Sequence, residues 1–371
     1  MSSEYRWDLA ITHRGAELEL FVEQYFNRAE RRILLIAGAG FDPRTSLVAK
    51  ALSAATKAEL SALLIQEVRP ESDPELVALA TANLEQLTEL VPESTTLLID
   101  IFGTDNSVVG GRRAATQLST QELDKYTDIV VDISALSVGT SFPMIRYLID
   151  LVQVRKAAPN LHVMVAHRPE LDAKIRAIPT DSAVPVHGFN GGSTLMSVNQ
   201  RAARLWLPQL ASGRAGTLRR LYESIRPHEV CAILPFPASH PRLGDSLLEE
   251  LLGSDGFPWT MDARSIVHAD EDDPLDLYRT VLRLHTLREP VFREVGGSHL
   301  VLSPVGSKVM ALGALMAALE KDLPVVYLED FSYELQGELD DSTPTPELMH
   351  VWLEGDAYPE DRPPLRRVDN E

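Results

Sequence analysis

A single cysteine in 371 residues removes two kinds of chemistry at the outset. With Cys231 alone, no disulfide can close within the chain, and no thiolate cluster exists to hold zinc. Cys231 lies in the apolar run Val230 to Leu234, where cysteine reads as a small core residue. No apolar run reaches the roughly 18 residues that a membrane-spanning helix needs, so no membrane span is predicted. The opening Met-Ser-Ser-Glu-Tyr-Arg-Trp-Asp has no apolar segment, which predicts no signal peptide and a cytoplasmic location. Basic charge is also scarce: 35 Lys and Arg stand against 54 Asp and Glu, a net charge of -19. That excludes non-specific nucleic-acid binding through a basic surface and leaves only a local basic pocket. There is no Gly-x-Ser-x-Gly elbow and no His-Glu-x-x-His pair, and His167, His187 and His268 are scattered. Neither a serine hydrolase nor a helical zinc site is indicated. No fixed-period repeat is present.

What the chain does contain is alternation. Near-continuous apolar strands are expected at 32–37, 62–68, 95–102, 128–133 and 161–166. Helices are expected at 13–30, 45–56, after Asp73-Pro74, near 119–125 and at 141–156. Apolar strands between amphipathic helices predict a parallel sheet covered on both faces. A second α/β set follows: helix 218–225, strand 230–236, a helix capped by Asp245 or Ser246, strand 264–268, a helix from Asp273-Pro274 to about 285, strand 299–302, a helix to 319 and strand 324–328. The expected architecture is two Rossmann-like α/β domains, 1–170 and 218–333, with mainly parallel sheets. A linker or insertion, 171–217, lies between them and contains Gly191-Gly192 and one further strand candidate, 184–189. An acidic irregular tail, 334–371, completes the chain. From Glu329 to Glu371 thirteen acids face three bases. This tail reads as a solvated face, with docking of a protein partner as the functional alternative. A homodimer is compatible with the sequence.

Four loops at strand carboxyl ends carry residues suited to ligands, the place where open α/β sheets bind them. The first is Gly38-Ala-Gly40-Phe-Asp42-Pro-Arg44, where backbone amides of a glycine turn at a helix start favour an anion. It lacks the third glycine of Gly-x-Gly-x-x-Gly and the lysine of a P-loop. The alternative is a tight strand-to-helix turn with Asp42 capping or paired to Arg44. The stretch 30–70 resembles the first motif of class I methyltransferases that use S-adenosylmethionine. The resemblance implies that the glycines and Asp42 meet the methionine part and that Glu67 binds ribose hydroxyls.

The second loop is Ser303-Pro-Val-Gly306-Ser307-Lys308, again strand, small-residue turn and helix. Ser303, Ser307 and the backbone of Gly306 would hold an anion, with Lys308 adding charge. The alternative is a helix capped by Ser303. The stretch from about Val230 to Leu328 resembles CRISPR-associated Rossmann-fold (CARF) sensor domains, with the first glycine of their Gly-Gly-Thr-Lys loop missing. The resemblance implies a nucleotide-type ligand and a bacterial signalling or antiviral setting. The third loop, Asp132-Ile-Ser134-Ala-Leu-Ser137, places its hydroxyls and Asp132 on the same rim as Asp42, where Asp42, Asp100 and Asp132 would form a cluster for ribose hydroxyls or a metal with phosphates. The fourth holds Ser239, His240 and Arg242, a phosphate contact with a histidine able to move protons near neutral pH. The combined expectation is a protein that binds a nucleotide or other phosphorylated ligand and acts as a sensor or regulator. The alternatives are a class I methyltransferase or nucleotide-processing enzyme, and a structural subunit.

Overall fold

A computed structural model describes residues 5–70, 73–155, 158–168, 171, 175–189, 202–253, 258–260, 262–335, 346–359, 362 and 365. Gly191-Gly192 and much of the acidic tail lie outside the described residues. The chain divides into two compact units. One comprises Leu9–Arg168 with Phe331–Pro364; the other comprises Met1–Asp8, Pro169–Asp330 and Leu365–Glu371.

The first is built on a seven-stranded sheet. Its strands are β1 (Ile11–Arg14), β2 (Arg32–Gly38), β3 (Glu59–Val68), β4 (Ser94–Asp100), β5 (Asp128–Asp132), β6 (Asn160–His167) and a C-terminal strand, Glu347–Glu354. The order is β1, C-terminal strand, β6, β5, β2, β3, β4. Strands β2 to β6 pair in parallel. The C-terminal strand runs antiparallel to β6 and to β1. Two antiparallel steps return β1 to the direction of the parallel five.

Strand β2 is the middle one of the five parallel strands, and every residue from Ile33 to Gly38 is buried. Ile33, Leu35 and Ala37 join one cluster with Leu18, Val22, Phe26, Val48, Leu52 and Leu87 from the flanking helices. Leu34 and Ile36 alternate to the opposite face and are buried as well, at 1% and 0% exposure. Both faces are therefore covered, as expected for a Rossmann-like α/β sheet.

Local chemistry sets the helix starts. Asp73 accepts from the Glu75 amide, and Pro74 occupies the first turn of Pro74–Leu90. Ser137 accepts from the Thr140 amide and opens the helix Val138–Val154. Three expectations are corrected. The 13–30 helix is shorter, Gly15–Phe21 followed by a π turn, because Ile11–Arg14 pair as a strand. The helix expected near 119–125 is Gly110–Ser119 instead. Its two glycines are buried in the helix: a Cβ on Gly110 would lie 2.7 Å from Ile101 Cδ1 and 3.2 Å from Ile101 Cα, so glycine lets the helix start close against Ile101. Within the acidic tail, Glu347–Glu354 is an ordered strand.

The small-sheet unit repeats the α/β theme. Strand Ala203–Pro208 pairs in parallel with Glu229–Val230 and Ser298–Ser303, and Ala232–Pro235 pairs in parallel with Ile266–Ala269. Val184–Pro185 pairs antiparallel with Val326–Tyr327. Helices Pro274–Phe292 and Lys308–Lys321 pack against each other. Ser307, not Ser303, caps the second of them.

Candidate functional site

In the seven-stranded unit the strand order reverses between β2 and β5. From β2 the chain moves outward through β3 and β4, and from β5 it moves the other way to β6. The loops after these two strands therefore flank a topological switch point, where such sheets open a crevice at their carboxyl edge.

The two loops approach each other closely. A Cβ on Gly38 would lie 2.8 Å from Ala135 O and 2.9 Å from Ala135 C. Only glycine fits there, because the opposing atoms are backbone. At Gly40 the nearest such contact is Ala135 O at 4.0 Å, so the space beside it is open. Thr45 Oγ1 donates to Gly38 O. Asn83 Nδ2 donates to Gly40 O at 2.8 Å and to Asp42 O at 3.2 Å, which fixes the loop from the carbonyl side. Among the described residues, no protein group accepts from the Gly40 or Phe41 amides.

Asp42 caps the short 3-10 turn Pro43–Ser46 by accepting from the Arg44 amide at 2.9 Å. It also takes the Arg44 guanidinium in a fork, Nε to Oδ1 at 3.0 Å and Nη2 to Oδ2 at 2.7 Å. Both residues are buried, so the pair is a desolvated, charge-assisted one. Glu67, at the end of β3, accepts from Ser137 N at 2.9 Å and from Ser137 Oγ at 2.8 Å. Its other oxygen accepts from Arg69 Nη1 at 2.9 Å. Burial alone would raise the Glu67 carboxyl; Arg69 and the Ser137 donors outweigh it and hold the group below the usual carboxylate range. The Arg69 guanidinium also lies 5.2 Å from the Tyr333 ring centroid, and Tyr333 packs against Phe41 at 5.2 Å.

Asp132 ends β5. It accepts from the Ser134 amide at 2.9 Å and from Ser134 Oγ, whose oxygen in turn accepts from Ala166 N at 2.8 Å. Burial pushes the Asp132 carboxyl up to about 7 against these donors, and the charge of Asp42 adds to the rise. A carboxyl in that range exchanges its proton near neutral pH.

Three of the acids expected at strand ends, Asp42, Glu67 and Asp132, thus belong to the carboxyl edge of one sheet. Asp100 is exposed and lies beside Arg113, 3.5 Å away. Of the residues that hold these acids in place, Ser137 was expected on this rim, whereas Arg69, Asn83 and Tyr333 were not anticipated. Ser137 had a legible signal, a hydroxyl three residues ahead of Thr140 at the head of an apolar helix. The others are brought in by tertiary placement.

The loops expected to bind ligand in the small-sheet unit are arranged differently. Ser303 is turned inward at 1% exposure. Its Oγ accepts from Trp206 Nε1 at 2.9 Å and donates to Val326 O at 2.7 Å. Ser307 Oγ accepts from Met310 N at 3.3 Å. Gly306 packs beside Gln209, and Lys308 opens the helix. Ser239 donates from N and Oγ to the buried Glu271, at 2.8 and 3.0 Å, so that loop faces a carboxylate. His240 Nδ1 accepts from the Arg242 amide at 3.3 Å, and both side chains are exposed.

No protein-family model and no curated protein matches the chain. Among solved structures it is similar to the METTL16 MTase domain, at 15% identity over 42% of this chain and 52% of that one, with a TM-score of 0.23. The similarity spans about half of that domain's length. Among the described residues no helix is long and apolar enough to cross a membrane.

Proposed function

We propose that the seven-stranded unit binds S-adenosylmethionine at its switch point and that the protein is a methyltransferase. The observation that carries this reading is an imbalance at one crevice: backbone donors without acceptors at Gly40 and Phe41, beside acids whose neighbouring bases are already engaged. Two amides suit a single carboxylate. A polyphosphate would meet Asp42, Glu67 and Asp132 while Arg44 faces Asp42 and Arg69 faces Glu67. A ligand with one carboxylate, an ammonium and a sulfonium matches that charge pattern better.

The residues present fit such a cofactor. Gly40 and Phe41 would hold its carboxylate, and the open side of Gly40 admits it. Glu67, held ionised at the end of β3, would be the acceptor for a ribose hydroxyl. The bound cofactor supplies an electrophilic methyl group. The protein's part is to orient it and to surround its cationic centre with carboxylates rather than bases. The competing reading, a nucleotide sensor acting through Ser307 and Lys308, supplies the comparison ligand.

The test is a thermal shift with S-adenosylhomocysteine, S-adenosylmethionine and ATP. At ~100 times Kd, a ligand that binds only the folded state stabilises it by roughly 2.7 kcal/mol. Gly40→Val is expected to fold, because a Cβ there would come no nearer than 4.0 Å to Ala135 O, and to lose the shift by crowding the Gly40 and Phe41 amides. A shift with ATP alone would replace the methyltransferase reading with the sensor.

A further inference from the structure

Away from the candidate site, four polar side chains form an unbroken line across the sheet. They are His13 on β1, His350 on the C-terminal strand, His162 on β6 and Asp128 at the start of β5. His13 Nδ1 lies 3.0 Å from His350 Nδ1. His350 Nε2 lies 2.9 Å from His162 Nδ1, and His162 Nε2 lies 3.3 Å from Asp128 Oδ1. Asp128, His162 and His350 are all 0% exposed, while His13 is half-buried. The rings of Phe21, Tyr25, Phe26 and Trp352 pack around the histidines.

Geometry fixes where the protons sit. Asp128 also accepts from Tyr25 OH at 2.9 Å, Thr127 Oγ1 at 2.6 Å and Asn160 Nδ2 at 3.2 Å, with Arg31 Nη1 at 3.4 Å. It is the ionised acceptor at the end of the line, so His162 carries its hydrogen on Nε2. A neutral imidazole has one donor and one acceptor. His162 Nδ1 therefore accepts from His350 Nε2, and His350 Nδ1 accepts from His13 Nδ1. Every contact is satisfied by three neutral rings in one set of tautomers.

One added proton leaves the line intact. On His13 it occupies the outer nitrogen. If His350 or His162 holds it, the rings on the outer side reverse their tautomers and each contact still joins a donor to an acceptor. A second proton cannot be placed that way: wherever it goes, two N–H groups meet within about 3 Å, in a buried setting where each needs an acceptor.

We propose that this line is an acid-sensitive latch: it holds the C-terminal strand Glu347–Glu354 in the sheet while it carries at most one extra proton, and a second proton releases that strand. The inference does not draw on the methyltransferase reading. The charges facing the line are Glu17 beside His13, and Asp128, Arg31 and Asp356 around His162; His350 faces the other two histidines. Tyr25 is the remaining titratable neighbour, its hydroxyl held protonated by burial and by Asp128. Burial, then repulsion from His162 and His13, holds His350 well below the ordinary histidine range. Burial also lowers His162 despite Asp128, and lowers His13 despite Glu17.

The sign follows from these directions. The released strand binds protons more readily than the latched one, so the latch is fully stabilising above the unperturbed histidine value of about 6.5 and weakens as pH falls below it. Two protons taken up on opening give a dependence of on the order of 100-fold per pH unit at its steepest, against about tenfold for one.

Amide hydrogen exchange on the full chain between pH 7.5 and 5 tests this. Protection of 347–354, corrected for intrinsic rates, is expected to fall with that steepness while β2 and β3 keep theirs. In His350→Gln, which can donate and accept but not titrate, the fall should flatten to one proton or fewer. Should that variant not fold, nitrogen NMR of the imidazoles in the parent protein decides: the three rings should show the single tautomer set at pH 7.5. Equal loss of protection in all three strands, or rings that titrate independently near 6.5, would overturn the proposal.

Discussion

Asp128→Ala is expected to destabilise the seven-stranded unit by about 3–5 kcal/mol, the cost of removing one partner from a buried charged network. The carboxylate accepts from Tyr25, Thr127, Asn160 and His162 and faces Arg31. Alanine leaves these donors without their shared acceptor and leaves Arg31 without the only carboxylate at its head group among the described residues. For a unit of this size the loss corresponds to a melting temperature lower by on the order of 10 °C. The control is Arg155→Ala, which breaks an exposed pair with Asp124 and should cost less than about 1 kcal/mol. Burial pushes the Asp128 carboxyl up, but His162, Thr127 and Arg31 outweigh it and keep it below the usual range. Its contribution is therefore complete above the unperturbed aspartate value of about 3.9, begins to decline below it and is lost only as pH falls through the lowered value of the folded state, a second acid-induced loss below that of the histidines. Urea unfolding at pH 7 and at pH 3.5 measures both; a variant as stable as the parent at pH 7 would show that the network carries no net stabilisation.

The second large effect is expected at Gly313, in the crossing of helices Pro274–Phe292 and Lys308–Lys321. A Cβ there would lie 2.3 Å from Pro274 O and 3.1 Å from Leu277 Cβ. Alanine would gain about 1 kcal/mol in helix propensity. Against this stands a collision with a backbone carbonyl, which cannot rotate aside as a side chain can. Overpacking of this kind costs about 1–3 kcal/mol, and the short contact with a fixed carbonyl puts this site at the upper end, so the helices must separate and the net change for Gly313→Ala is a loss of about 1–2 kcal/mol. Gly216→Ala, in helix Ala215–Ile225 with nothing within 4 Å, should be neutral or stabilising by up to about 1 kcal/mol. Two identical substitutions in helices thus carry opposite signs, and chemical unfolding of the pair reads the difference directly. Equal stabilities would mean that the crossing relaxes freely.

The architecture was largely legible because the buried strands announce themselves. Residues 33–37, 129–131 and 163–166 are apolar runs that leave few alternatives, and Asp73-Pro74 and Asp273-Pro274 mark helix starts that hold in the structure. Strand β1 was hidden because Ile-Thr-His-Arg is short and runs directly into a helix whose periodicity absorbs it. The C-terminal strand was hidden by its surroundings: Leu348 to Leu353 are mostly apolar but are flanked by acids that dominate any longer window. At the candidate site, the acids could be found because they end strands. Their partners could not: Ser137 is 70 residues from Glu67, and Asn83 is 43 from Gly40. The three linked histidines were invisible for the same reason, each lying in a separate strand and meeting only through register.

The pairing of β1 has a consequence for how the chain comes off the ribosome. Among the described residues its sheet partner is the C-terminal strand alone, with Arg14 opposite Met349. Synthesis at ~5–20 residues per second puts roughly 20–70 s between the emergence of those two positions. Throughout that interval the first strand lacks its native partner, and the parallel five must assemble with a vacant flank at β6. A segment from late in translation closes both at once.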